Sequence, residues 1–78
     1  MAEDPSTAAV RRLLRSTRVR RGWTPAELAA RVDGATARIV EEWESGVREL
    51  RYVQYLQLCT ALGVDPADLV TEAVRDGR

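Results

Sequence analysis

The sequence has no histidine, no lysine and a single cysteine, and each shortage closes a route. Cys59 has no partner for an intrachain disulfide, and one thiol without imidazoles cannot assemble a structural zinc site. There is no metal-ligand spacing and no glycine-rich phosphate loop either. The inventory of a catalytic centre is therefore missing, and no enzyme activity, cofactor or metal is expected. Long apolar runs are absent as well: nothing approaches the ~18 residues of a membrane span. The opening Met1-Ala2-Glu3-Asp4-Pro5-Ser6 is acidic where a secretory signal would be basic. These features lead us to expect a cytoplasmic protein with no membrane partner. A chain of 78 residues has room for one domain. Domains of this size bury only roughly 60% of their unfolded surface, so stability must come from compact helix packing and would gain from dimerisation.

Basic and acidic side chains number 12 each, and their charges cancel. A nucleic-acid binder usually carries a basic excess, so the distribution matters more than the sum. Arg11, Arg12, Arg15, Arg18, Arg20 and Arg21 crowd one stretch, while Glu41, Glu42, Glu44 and Glu49 crowd the middle of the chain. Every cation is arginine, the side chain suited to two-pronged phosphate and guanine contacts.

Read in order, residues 1–5 are expected to be a frayed tail. Ser6 or Thr7 is expected to cap a first helix, with Ala8, Ala9, Val10, Leu13, Leu14 and Thr17 at helical spacing up to about Arg20. Gly22 stops it. Thr24, Pro25 and Glu27 then make a strong helix start: Thr24 and Glu27 form a capping box, Pro25 fits the first turn, and Trp23 and Leu28 form a hydrophobic staple. Leu28, Ala29 and Val32 give the buried stripe, and the small Ala29 and Ala30 would allow a second helix to cross closely. Asp33-Gly34 breaks the chain. Thr36 caps a short third helix with Val40 and Trp43 inward and Gly46 at its end. Too short to be stable alone, this helix must pack. Tyr52 or Val53, Tyr55, Leu56, Cys59 and Leu62 mark a fourth helix, with Cys59 as a small core hydrophobe. Asp65-Pro66-Ala67-Asp68 repeats the Thr24 start, with Val64 and Leu69 as its staple, for a fifth helix through about Val74. Residues 6–75 form the domain and 76–78 a second tail. The fold class is all-α, five helices with a helix-turn-helix at residues 24–46.

Particular residues carry a family resemblance. Leu28-Ala29, Val40, Trp43-Glu44-Ser45-Gly46, Leu58, Cys59, Ala61 and Leu62-Gly63-Val64 together resemble the phage repressor and Cro-like (lambda-repressor-like) helix-turn-helix family across roughly residues 10–70. The resemblance implies double-stranded DNA as partner, a homodimer, and a third helix lying in the major groove. It also implies an ion pair between Arg18 and Glu44 beneath that helix. Three positions depart from the family pattern. Pro25 stands where a glutamine usually meets a phosphate, the turn between the second and third helices is one residue longer, and the outward positions Ala37, Arg38, Glu41 and Glu42 include two carboxylates.

Arg38 is the first choice for reading bases, since it can bind guanine O6 and N7 through two bonds. Glu42 and Ala37 follow, then Glu41; Ala37 would meet a thymine methyl, and a carboxylate there is tolerated mainly opposite a cytosine amino group. Phosphate contacts are expected from Thr24, Ala26, Thr36, Arg48, Arg51 and Arg31. A competing reading is a protein-interaction module, an adaptor, antitoxin-like partner or regulator of another transcription factor, favoured by zero net charge, Pro25 and the Glu41-Glu42 pair. For the dimeric DNA binder, Leu69, Val70 and Val74 of the fifth helix, or part of the fourth helix, would line the dimer surface, or equally fill the core.

Overall fold

The computed structural model describes residues 3–76. Its order is α1 (Pro5–Arg20), α2 (Pro25–Ala29), α3 (Ala37–Ser45), α4 (Tyr52–Leu62) and α5 (Pro66–Asp76), with no strand among the described residues. The radius of gyration, 11.5 Å, equals the roughly 11.5 Å expected of a compact chain of this length.

All three prolines of the sequence open a helix. At the first helical position proline lacks an N–H that would have no partner anyway, and its fixed φ suits the turn. The residue before each proline supplies the cap. Thr24 Oγ1 accepts from the Glu27 amide at 3.1 Å, and Glu27 Oε1 accepts from the Thr24 amide at 3.0 Å. Those bonds hold the Glu27 carboxyl below its usual range. Asp65 Oδ1 accepts from the Ala67 amide at 2.8 Å, but Asp68, one methylene shorter than glutamate, makes no return bond among the described residues. The start of α1 corrects the sequence expectation. Asp4, not Ser6 or Thr7, is the cap, its Oδ1 accepting from the Ser6 amide at 2.7 Å, so the helix already includes Pro5. Of the expected tails, Met1, Ala2, Gly77 and Arg78 lie outside the described residues, and α5 runs on to Asp76.

The core joins every helix: Leu14 from α1, Leu28 and Ala29 from α2, Val40 and Trp43 from α3, Tyr55, Leu58, Cys59 and Leu62 from α4, and Leu69 from α5. Long α1 lies along α5 and also packs on α3 and α4, while α2 packs on α3. Two expectations about α2 change. It stops at Ala29 because the next amides bond three residues back, Arg31 to the Leu28 carbonyl at 2.9 Å and Val32 to the Ala29 carbonyl at 3.1 Å, which tightens the last turn. Val32 still plugs the core from this turn, whereas Ala30 faces solvent, so Ala29 alone is the small residue at the crossing. In α4, Tyr52 and Val53 point outward and Tyr55 inward, its hydroxyl donating to the Pro66 carbonyl. Burial pushes the Tyr55 hydroxyl and the neighbouring Cys59 thiol above their usual ranges, so both stay protonated at neutral pH.

Gly46 ends α3 at φ 90°, its amide bonded to the Glu42 carbonyl at 3.1 Å. A side chain here would find room, the nearest atoms being 3.9 Å away on Arg11, so its cost is the left-handed backbone alone. Gly46→Ala is expected to cost about 1–3 kcal/mol, read as a lower urea midpoint at unchanged m-value.

Candidate nucleic-acid interface

Helix α3 is too short to hold its own position, and α1 holds it at its C-terminal end. Arg18 and Glu44 are brought together: Nε lies 2.8 Å from Oε2 and Nη2 3.0 Å from Oε1, with both side chains less than a tenth exposed. The third arm of the same guanidinium, Nη1, donates to the Trp23 carbonyl at 2.7 Å. One arginine therefore joins α1, α3 and the entry to α2. Its bond to Glu44 raises its pKa further against the opposing effect of burial, so it is charged throughout the physiological range.

The second tie was not foreseen. Arg11, two turns before Arg18 on the same face of α1, is 5% exposed. Its Nη1 donates to the carbonyl of Trp43, in the last turn of α3, and at 2.9 Å to that of Arg48 in the following loop. Nε and Nη2 turn back to Glu3, at 2.8 Å for the closest approach. Carbonyls of a last helical turn lack intrahelical partners; a cation there both satisfies one and opposes the negative end of the helix dipole. The sequence signal was the spacing, since Arg11, Leu14 and Arg18 fall on one helical stripe.

With its inner face fixed, α3 turns Arg38 and Glu41 outward, and Ala37 partly so. Arg38 is 87% exposed and its Nε lies 3.5 Å from Glu42 Oε2. Glu42 is more enclosed and is gripped from the other side by Arg48, whose Nη2 and Nε lie 2.9 and 3.0 Å from Oε1. Beyond the loop, Arg51 pairs loosely with Glu49 at 3.6 Å, both well exposed, a geometry worth little in water.

The phosphate candidates of α2 sit at its open end. Ala26 and Thr24 are exposed, but the Thr24 amide is already taken by Glu27. Thr36 caps α3, its Oγ1 accepting from the Ile39 amide at 3.2 Å. Arg31 lies elsewhere: its guanidinium stacks 4.0 Å over the half-buried Trp23 ring, and Nη1 donates to the Glu27 carbonyl at 2.8 Å. Arg21 covers the same ring at 5.6 Å. Trp23 is thus partly core and partly a seat for two cations. Arg12 and Arg15 of α1 are exposed and make no ion pair among the described residues.

A short helix locked from beneath by two buried arginines, preceded by a capped helix and a tight turn, and edged by exposed arginines, defines a helix-turn-helix domain. The chain belongs to the helix-turn-helix domain family, whose model matches residues 9–72. Membership points to DNA-binding regulation, and the span fits the phage-repressor-like resemblance carried by the sequence. Searches of curated proteins and of solved structures return no match. Among the described residues no helix is long and apolar enough to cross a membrane, and no group of side chains could hold a metal ion.

Proposed function

We propose that the protein is a sequence-specific transcriptional regulator that inserts α3 into the major groove of duplex DNA as a homodimer. The observation that carries this reading is the division of α3 into two faces, an inner one packed through Val40 and Trp43 and bonded to α1 at its C-terminal end, and an outer one, Arg38, Glu41 and the half-buried Ala37, with no bond to α1. Arg38 reads guanine, Ala37 meets a thymine methyl and Glu41 accepts from a cytosine amino group. Arg48 and Arg51 reach the backbone beside them, joined by Thr36 and by Ala26 and Thr24 at the start of α2. Arg31 contributes through the field around Trp23 more than by direct contact. Despite the zero net charge, cationic surface remains, since the exposed Arg12 and Arg15 make no ion pair among the described residues.

The dimer would use a largely apolar groove of about 330 Å³ lined by Val10, Leu50, Tyr52, Val70 and Val74. Leu69, the remaining apolar candidate of α5, belongs to the core. A two-fold dimer sets its two recognition helices ~34 Å apart, one helical turn of DNA.

Selection of bound sites from a random duplex pool, followed by salt titrations on the selected site and on generic duplex, tests the reading. A palindromic site bound by two chains is expected. Arg38→Ala should relax base preference at one position, at about 1–3 kcal/mol, whereas Arg51→Ala should weaken all sequences alike and flatten the salt slope by about one unit. Binding that ignores a tenfold change in salt would overturn the proposal and leave the protein-interaction reading, because neutralising phosphates must release counterions.

A further inference from the structure

Resting on the DNA-binding reading above, we propose that Glu42 is an intramolecular stand-in for a backbone phosphate, holding the Arg48 guanidinium, and more loosely that of Arg38, until duplex DNA displaces it. A guanidinium grips carboxylate and phosphate oxygens through the same short charge-assisted bonds, so the two anions compete for one site. Glu42 has the position for this. It sits at 20% exposure between two cations that are 48% and 87% exposed, close enough to bond Arg48 through both Nε and Nη2.

The main chain of Arg48 is fixed independently of that bond. Its amide donates to the Glu42 carbonyl at 3.2 Å, and its carbonyl accepts from Arg11 at 2.9 Å. The loop therefore stays in place while the side chain swings from carboxylate to phosphate. Neither neighbouring carboxylate is arranged this way. Glu41 makes no ion pair among the described residues, and Glu49 meets Arg51 only at 3.6 Å with both side chains in solvent.

Release of the latch costs the same for every duplex, so it lowers affinity for all of them by one factor. Occupancy then persists only where the base contacts of α3 make up the difference. An acidic residue beside the reading face, which looks like a defect in a DNA binder, becomes the element that keeps the arginines off generic DNA.

Fluorescence anisotropy of a labelled generic duplex, titrated with the whole chain at several salt concentrations, tests this. Glu42→Gln is expected to tighten binding about tenfold, because Arg48 then meets its phosphate without first giving up a carboxylate. Glu41→Gln removes the same charge one position away and should gain clearly less. Glu42→Asp keeps the charge but shortens the reach, and should tighten binding by an intermediate factor. In an Arg48→Ala background, the gain from Glu42→Gln should fall to that of Glu41→Gln, as expected when two residues act as a unit. Thermal melts accompany each variant, and Glu42→Asp carries the test if Glu42→Gln does not fold. Equal gains from the two glutamine variants, an unchanged gain without Arg48, or no gain from Glu42→Asp would each sink the latch while leaving DNA binding intact. Salt-independent behaviour of every variant would instead remove the DNA-binding reading, and the latch with it.

Discussion

Glu44→Ala is expected to cost about 3–5 kcal/mol, the usual consequence of leaving a buried charge without its partner. For a chain of this size total stability is roughly 4–12 kcal/mol, so the variant would be marginal, with a melting temperature lower by about 15 °C or more. The reason lies in the fork of Arg18: with Glu44 gone, Nε and Nη2 are left unbonded in the interior while Nη1 still holds the Trp23 carbonyl. Replacing both partners, Arg18→Met with Glu44→Leu, should recover part of the loss and not all of it, because the Trp23 carbonyl then has no donor. The pair should not respond to neutral or mildly alkaline pH. Arg18 has a raised pKa in the fold, so its contribution is complete below its ordinary range and is lost only as pH climbs through the raised value. Thermal and urea unfolding followed by circular dichroism measures all of this. A loss below about 1 kcal/mol would mean that the pair behaves as an exposed one.

Arg11→Ala should be nearly as damaging, at about 2–4 kcal/mol, since it strips the donor from two carbonyls, those of Trp43 and Arg48, at the end of α3. Arg11→Lys is expected to restore only part of this. A compact ammonium cannot bond both carbonyls and the Glu3 carboxylate in the forked geometry that a guanidinium provides. The two variants also differ in what they do to DNA. Loss of Arg11 frees the loop carrying Arg48, so binding to all duplexes should weaken under conditions where the variant is still folded. Denaturation curves paired with anisotropy titrations check this. Unchanged stability with Arg11→Ala would show that solvent can replace the guanidinium at both carbonyls.

What the sequence disclosed well was punctuation. Thr24, Thr36, Gly22 and Gly46 act through bonds within a few residues of themselves, and such local signals can be read directly along the chain. The missed cap at Asp4 had the same form as Asp65-Pro66. It was overlooked because a charged first few residues resemble a frayed tail until the proline is recognised as a first helical position. The ion pair of Arg18 with Glu44 came from resemblance and not from spacing, because nothing local links residues 26 positions apart. Arg11 was harder still. In a helix studded with arginines every one looks solvated, and only its place on the stripe of Leu14 and Arg18 separates the buried cation from Arg12 and Arg15. The same holds for Glu42: its outward place on α3 suggests a base reader, and nothing local shows that Arg48 lies across it.

The bonds that fix α3 all leave from Glu44, the Trp43 carbonyl and the loop behind it, and none from Ala37, Arg38 or Glu41. On the proposed DNA-binding reading, foundation and lettering are therefore physically separate in this domain. The three outward positions can be rewritten, singly or together, without disturbing the attachments beneath, so a set of variants with new operator preferences could be drawn from one unchanged scaffold.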